Sequence, residues 1–223
     1  MSLNRDLENG VKLLWPTPVF SRKFDNTEAV NARLREIILE REQQDKGVAK
    51  SVVHGWHSTE DFFDWPFPEV GQIRDFVRTG MVELTKVTTG LQEGQFGGQA
   101  TFLGWATVLR YGAYNSVHTH PGCAWSGVYY VDTGGSTMEG DDGMAHGVIE
   151  FLDPRTAVEM IPIPGEPFGQ RIKFQPEAGR IYMFPAWLGH SVTPYHGEKD
   201  RIAVAFNIRF DDFKIFEAPK GDG

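Results

Sequence analysis

The chain has 223 residues, 40% of them hydrophobic, enough to bury a sizeable core. Thirty acidic against 22 basic residues leave a formal charge of −8, which disfavours nonspecific binding to nucleic acid or to an anionic membrane. Cys123 is the only cysteine, so no intrachain disulfide forms; the first residues lack an apolar signal core, and no run is long enough to span a bilayer. A cytoplasmic protein that acts on neither nucleic acid nor membrane is expected.

In chain order, Val11 to Phe24 reads as extended, with Pro16 and Pro18 confining it to an edge or a loop. Asn26-Thr27-Glu28 starts a helix that runs to about Gln44, burying Val30, Leu34, Ile37 and Ile38, and Gly47 is expected to end it. His54 and His57 flank Trp56 in an aromatic stretch reaching Phe62, Phe63 and Trp65, where packing is the expected role. A second amphipathic helix, from Pro66 or Pro68 to Thr88, carries Ile73, Phe76, Val77, Met81 and Leu84 on one stripe. From Gly97 the texture changes to short strands punctuated by glycine and proline, at roughly 100–110, 115–120, 124–132, 147–152, 171–174, 179–184, 189–194 and 201–210. The loops near Gly134–Gly143 and Pro162–Gly169 are candidates to cover a site.

Eight antiparallel strands in two facing sheets make a jelly roll, the double-stranded β-helix also found in cupins. The expected fold is therefore mainly β, with two N-terminal amphipathic helices packed on one sheet. It reads as a single domain over 1–223, with a helical support region at 1–96 and the double-stranded β-helix core at 97–212. The last strand predicts its own facing. Ile202, Val204, Phe206, Ile208 and Phe210 fall on the side that the helices cover, and Arg201, Ala203, Ala205 and Asn207 on the side toward a cavity. By the same alternation Ser126, Val128 and Tyr130 share one face.

His118-Thr119-His120 is the motif with the most chemistry in it. Imidazoles two residues apart on a strand point the same way, with Cα atoms roughly 6.6 Å apart. Metal–nitrogen bonds of about 2.0–2.1 Å let both rings meet one ion, and His190 can close a facial set of three that leaves open positions. Gly112 to His120 has the G-x5-H-x-H spacing of cupins, and Gly179 to His190 resembles their second frame with Trp187 in place of the middle glycine. The glutamate that cupins usually carry soon after the histidine pair is absent, since Pro121 to Trp125 contains no carboxylate.

Several strings resemble a family of putative 2-oxoglutarate–Fe(II) oxygenases, related to the prolyl hydroxylases: His118-Thr-His120-Pro121, Trp125 to Val131, Asp153-Pro154-Arg155, Phe184 to Val192 and Arg201 to Asn207, with Gly55-Trp56-His57-Ser58 upstream. The resemblance implies that His118 and His190 are metal ligands, with His120 at the position of the family's third ligand. It implies Fe(II) with O2 and 2-oxoglutarate as co-substrates, and hydroxylation of a small-molecule or peptide substrate with release of succinate and CO2. Arg201 matches the residue that grips the distal carboxylate of 2-oxoglutarate, a task suited to a forked and permanently charged guanidinium. Tyr130 matches a tyrosine that hydrogen-bonds the same carboxylate, and Tyr111 is a second candidate for it.

Two positions depart from the family pattern. His120 stands where a carboxylate is usual, and Ala203 where an R-x-S pattern has serine. His120 either ligates or turns away; its spacing favours ligation, and a three-nitrogen face also suits zinc. Two rival readings follow. One is a cupin-like three-histidine dioxygenase or isomerase that ignores 2-oxoglutarate, with Arg201 serving a substrate carboxylate. The other is a non-catalytic metal or small-molecule binding module. An edge strand near the N-terminus could pair two copies into a homodimer. Cys123 is read as inert, and His146 and His196 as loop residues.

Overall fold

The computed structural model describes residues 15–158, 164 and 171–216. The first part of the expected extended segment and nearly all of the loop at 162–169 lie outside them. Two antiparallel sheets face each other, as the strand pattern predicts. The larger orders its strands β1 (Phe20–Lys23), β9 (Arg180–Pro185), β6 (Trp125–Asp132), β11 (Arg201–Ile215), β4 (Phe96–Leu109) and β3 (Trp56–His57). The smaller runs β2 (Val52–Val53), β5 (Tyr114–His118), β10 (His190–Val192), β7 (Ile149–Phe151) and β8 (Ile172–Phe174).

Helices α1 (Glu28–Gln44) and α2 (Pro68–Thr89) cover the outer face of the larger sheet. Pro68 opens α2, where its missing N–H costs nothing, and Gly90 closes it in the left-handed region at φ 73°. Their stripes (Leu34, Ile37, Ile38, Ile73, Val77) meet Val204, Phe206 and Ile208 of β11 in the main apolar cluster, the side assigned from alternation. Phe206 is fully buried, and truncating such a side chain to alanine costs about 3–5 kcal/mol.

Helix α1 stops at Gln44 rather than at Gly47. Gly47 instead makes the left-handed turn, φ 71°, that brings the chain against Trp56 and His57, where a Cβ would fall 2.6 Å from the His57 carbonyl. The segment before residue 97 is also not only helical, since β1, β2 and β3 all join the sheets. Strand β1 is an edge of the larger sheet and pairs with β9.

Between the sheets lies a second, smaller apolar cluster of Tyr130, Ile149, Phe151, Tyr182, Phe184, Leu188 and Ala203. The inner face of β11 beside it carries small side chains, Ala203 and Ala205, which leave a cavity inside the roll. Among the described residues no helix is long and apolar enough to cross a membrane.

Candidate metal centre

Strand β5 ends at His118, β10 begins at His190, and the two are direct partners across the sheet. His120, two residues past His118, is pinned by its backbone N–H donating to the Ala186 carbonyl at 2.9 Å. One nitrogen from each of His118, His120 and His190 lies within 4.8 Å of the others. No carboxylate joins this group among the described residues.

Backbone carbonyls set two of the three tautomers. The Nδ1–H of His118 donates to Ser116 O at 2.7 Å and that of His190 to Leu188 O at 2.8 Å. Each ring therefore turns an Nε2 lone pair toward the cluster, the outer-shell arrangement that suits a metal ligand. Burial, then the neighbouring His118, pushes His120 down to about 4 and His190 down to about 3, and burial lowers His118 as well. All three rings are neutral at neutral pH, so a metal ion there meets no imidazolium charge. The donor set fits a divalent ion.

Arg201 opens into the same cavity from the first position of β11. It is 2% exposed, its Nε–H donates to Gly147 O at 2.9 Å, and its guanidinium carbon lies 5.3 Å from the centre of the Tyr130 ring. No carboxylate pairs with it among the described residues: Asp132 pairs with Arg35, Asp200 with Arg35 and Arg110, and Asp153 with Arg155. Burial lowers the Arg201 pKa while Tyr130 and Tyr195 raise it, and an arginine keeps its charge at any working pH. The buried Tyr130 hydroxyl lies beside this guanidinium and meets full hydrogen-bond geometry with no partner among the described residues, and burial raises its pKa well above the usual value. A buried cation without a carboxylate partner among the described residues, next to a buried hydroxyl, suits an anion with hydrogen-bonding oxygens.

His118, His120, His190, Arg201 and Tyr130 thus come together around one cavity. Tyr111 does not: it is 75% exposed, lies against His196, and lines a separate surface depression with Arg110 and Lys199. Cys123 is partly buried and its thiol pKa is raised by burial, which agrees with an inert residue.

Trp105 and Thr107 are wall residues that sequence reasoning missed. Trp105 stacks on buried His57, ring centres 5.3 Å apart, and tilts over His120 at 5.8 Å. Both pair across the ladder with cavity-side residues of β11, Trp105 with Ala205 and Thr107 with Ala203, a register that no local sequence pattern shows. His57 is a packing residue, as expected, with its Nδ1 on Ser58 O at 2.5 Å.

Residues 104–207 match the model of a family described as "Putative 2OG-Fe(II) oxygenase". No curated protein matches the chain. Among solved structures the fold is similar to a prolyl-4-hydroxylase from Pseudomonas putida, with TM-score 0.60 and 12% identity over 87% of this chain and 93% of that one. It is also similar to a prolyl hydroxylase from Trichoplax adhaerens, solved with a hypoxia-inducible-factor peptide (TM-score 0.55, 12% identity, 86% and 83% covered). A third is HygX from Streptomyces hygroscopicus, solved with nickel and 2-oxoglutarate (TM-score 0.54, 11% identity, 87% and 84% covered). The chain thus carries, over its cavity-forming strands, the sequence pattern of the 2OG-Fe(II) oxygenases on the double-stranded β-helix that the prolyl hydroxylases share.

Proposed function

We propose that this protein is an Fe(II)- and 2-oxoglutarate-dependent dioxygenase that hydroxylates a small-molecule or peptide substrate, releasing succinate and CO2. The observation that carries the reading is Arg201, a buried guanidinium without a carboxylate partner among the described residues, sharing one cavity with three convergent histidines. A metal site alone would leave that charge unexplained.

In this reading His118, His120 and His190 hold the iron. Arg201 takes the far carboxylate of the oxoacid in a two-pronged grip, and the Tyr130 hydroxyl donates to the same group. Iron and oxoacid together supply the activation of O2 and the oxidation of a C–H bond. The chain itself supplies position and dryness. Ala203 and Ala205 make room, while Ile149, Phe184 and Val128 keep water from the cavity walls. The peptide held by the Trichoplax adhaerens neighbour supports keeping a peptide among the candidate substrates.

The all-nitrogen ligand set favours a second reading, a three-histidine metal enzyme in which Arg201 binds the substrate's carboxylate and no oxoacid is used. Anaerobic titration of Fe(II)-loaded protein with 2-oxoglutarate separates the two. A saturable visible charge-transfer band, lost in Arg201→Ala, is the expected result. Stoichiometric iron with no band at any oxoacid concentration would move the assignment to the second reading.

A further inference from the structure

Asn207 holds the one unexplained hydrogen bond of the candidate centre. It lies on the cavity side of β11, is 7% exposed, and sets its amide nitrogen 3.1 Å from His120 Nδ1. Its amide oxygen is buried and has no partner among the described residues. The nitrogen–nitrogen contact has a definite consequence: the amide donates, so His120 Nδ1 accepts and its ring proton sits on Nε2. That Nε2 lies 3.3 Å from His190 Nε2, whose lone pair is free because His190 Nδ1–H already donates to Leu188 O. In this arrangement His120 donates to His190, and the ligand set is closed on itself.

A half-turn of the amide exchanges its oxygen and nitrogen. The oxygen then accepts from His120 Nδ1–H, and His120 turns a lone pair toward the other two rings. Either orientation leaves one buried amide atom unpartnered, so the amide's own hydrogen bonding is close to balanced between them. What decides is which His120 tautomer the centre needs. His118 and His190 have no such choice, because each is tied to a backbone carbonyl that can only accept.

We propose that Asn207 is a positioning residue with two settings, one closing the histidine cluster in the metal-free protein and the other opening His120 to a divalent metal ion. This rests on the reading that the three histidines bind metal, and it adds the reason His120 can serve where a carboxylate is usual. An aspartate at 207 would hold only the open setting, since a carboxylate accepts and does not donate.

The test uses the full-length protein, freed of metal with a chelator, and titrates Co(II) into wild type, Asn207→Leu, Asn207→Asp and His120→Ala. Expected is a 10- to 100-fold weaker Co(II) affinity in Asn207→Leu, with Asn207→Asp at or above wild type. Wild-type affinity in Asn207→Leu, or loss in both variants, would overturn the proposal while leaving the metal site standing. If wild type itself binds no Co(II), the metal reading falls instead. Nitrogen NMR of 15N-histidine-labelled wild type reads the switch directly, without any variant at position 207. His120 should carry its proton on Nε2 without metal and on Nδ1 with Zn(II); the same nitrogen protonated in both states would refute two settings.

Discussion

His190 stands directly opposite His118 across the β5–β10 pair, each at the end of its strand, and the ladder slips by one residue immediately afterwards. Val192 pairs with Asn115 rather than with Ser116, so β5 carries one extra residue between these pairs. Such a bulge bends a strand and re-aims its side chains. Here it lies directly beside the histidine pair.

Removing either histidine should therefore empty the centre without unfolding the roll. His118→Ala and His190→Ala are each expected to lower divalent-metal affinity by roughly 100-fold or more, beyond what an outer-shell change causes. Metal content after dialysis measures it. A deletion of Val117, which takes out the extra residue, should lose metal to the same degree; full stoichiometry in that deletion would show that the bulge has no part in the site.

Arg201→Lys keeps the charge and discards the fork. In the Fe(II)-loaded protein, 2-oxoglutarate should bind about 10- to 100-fold more weakly, roughly 1.4–2.7 kcal/mol, while metal content stays at the wild-type level. Equal oxoacid affinity in wild type and Arg201→Lys would remove the two-pronged grip from the account.

The metal-free protein should lose stability on mild acidification. His120 and His190 are held at about 4 and about 3, chiefly by burial, against about 6.5 in an unfolded chain. Between those values the unfolded state binds more protons than the folded one, so stability is full above pH about 6.5 and falls as pH drops toward 4. The melting temperature should be several degrees lower at pH 5 than at pH 7.5, and the difference should shrink in His190→Gln. A flat profile over that interval, above the carboxylate range, would contradict the folded-state shifts.

Gly127 sits on β6 where a methyl group has no room. A Cβ there would fall 2.4 Å from the Phe206 ring and 2.5 Å from the Tyr182 carbonyl. Gly127→Ala is expected to destabilise the fold by about 2–3 kcal/mol in urea unfolding, because overpacking forces the neighbouring strands to shift. A cost under about 0.5 kcal/mol would mean that the strands yield there without strain.

How much of this the sequence disclosed follows from the length of each signal. Both helices and the facing of β11 rest on periodic runs of many residues, and alternation alone put Arg201 in the cavity and Phe206 under the helices. The bridges β2 and β3 are two residues long, too short to show a period, and the turn between them places His54 in the left-handed region at φ 58°, uncommon for any residue but glycine. Tyr111 was proposed from its place in a motif, but Gly112 at φ 83° turns the chain there and leaves the ring on the surface. Trp105 and the contact between Asn207 and His120 depend on register between strands distant in sequence, which a single chain does not reveal.

Strand β11 carries Arg201 and Asn207 on one side, so the anion-holding and metal-facing ends of the cavity are set along a single pleated backbone. Six residues span about 20 Å of strand, a length fixed by covalent geometry and by ladders on both flanks. Mutation can move the arginine along that face only in steps of two residues, about 6.6 Å, far coarser than one methylene of an acid. The strand is thus a ruler with widely spaced marks. Accepting a co-substrate one carbon longer or shorter would call for side-chain changes such as those at Tyr130 or Ala203, because the backbone itself has no finer setting to offer.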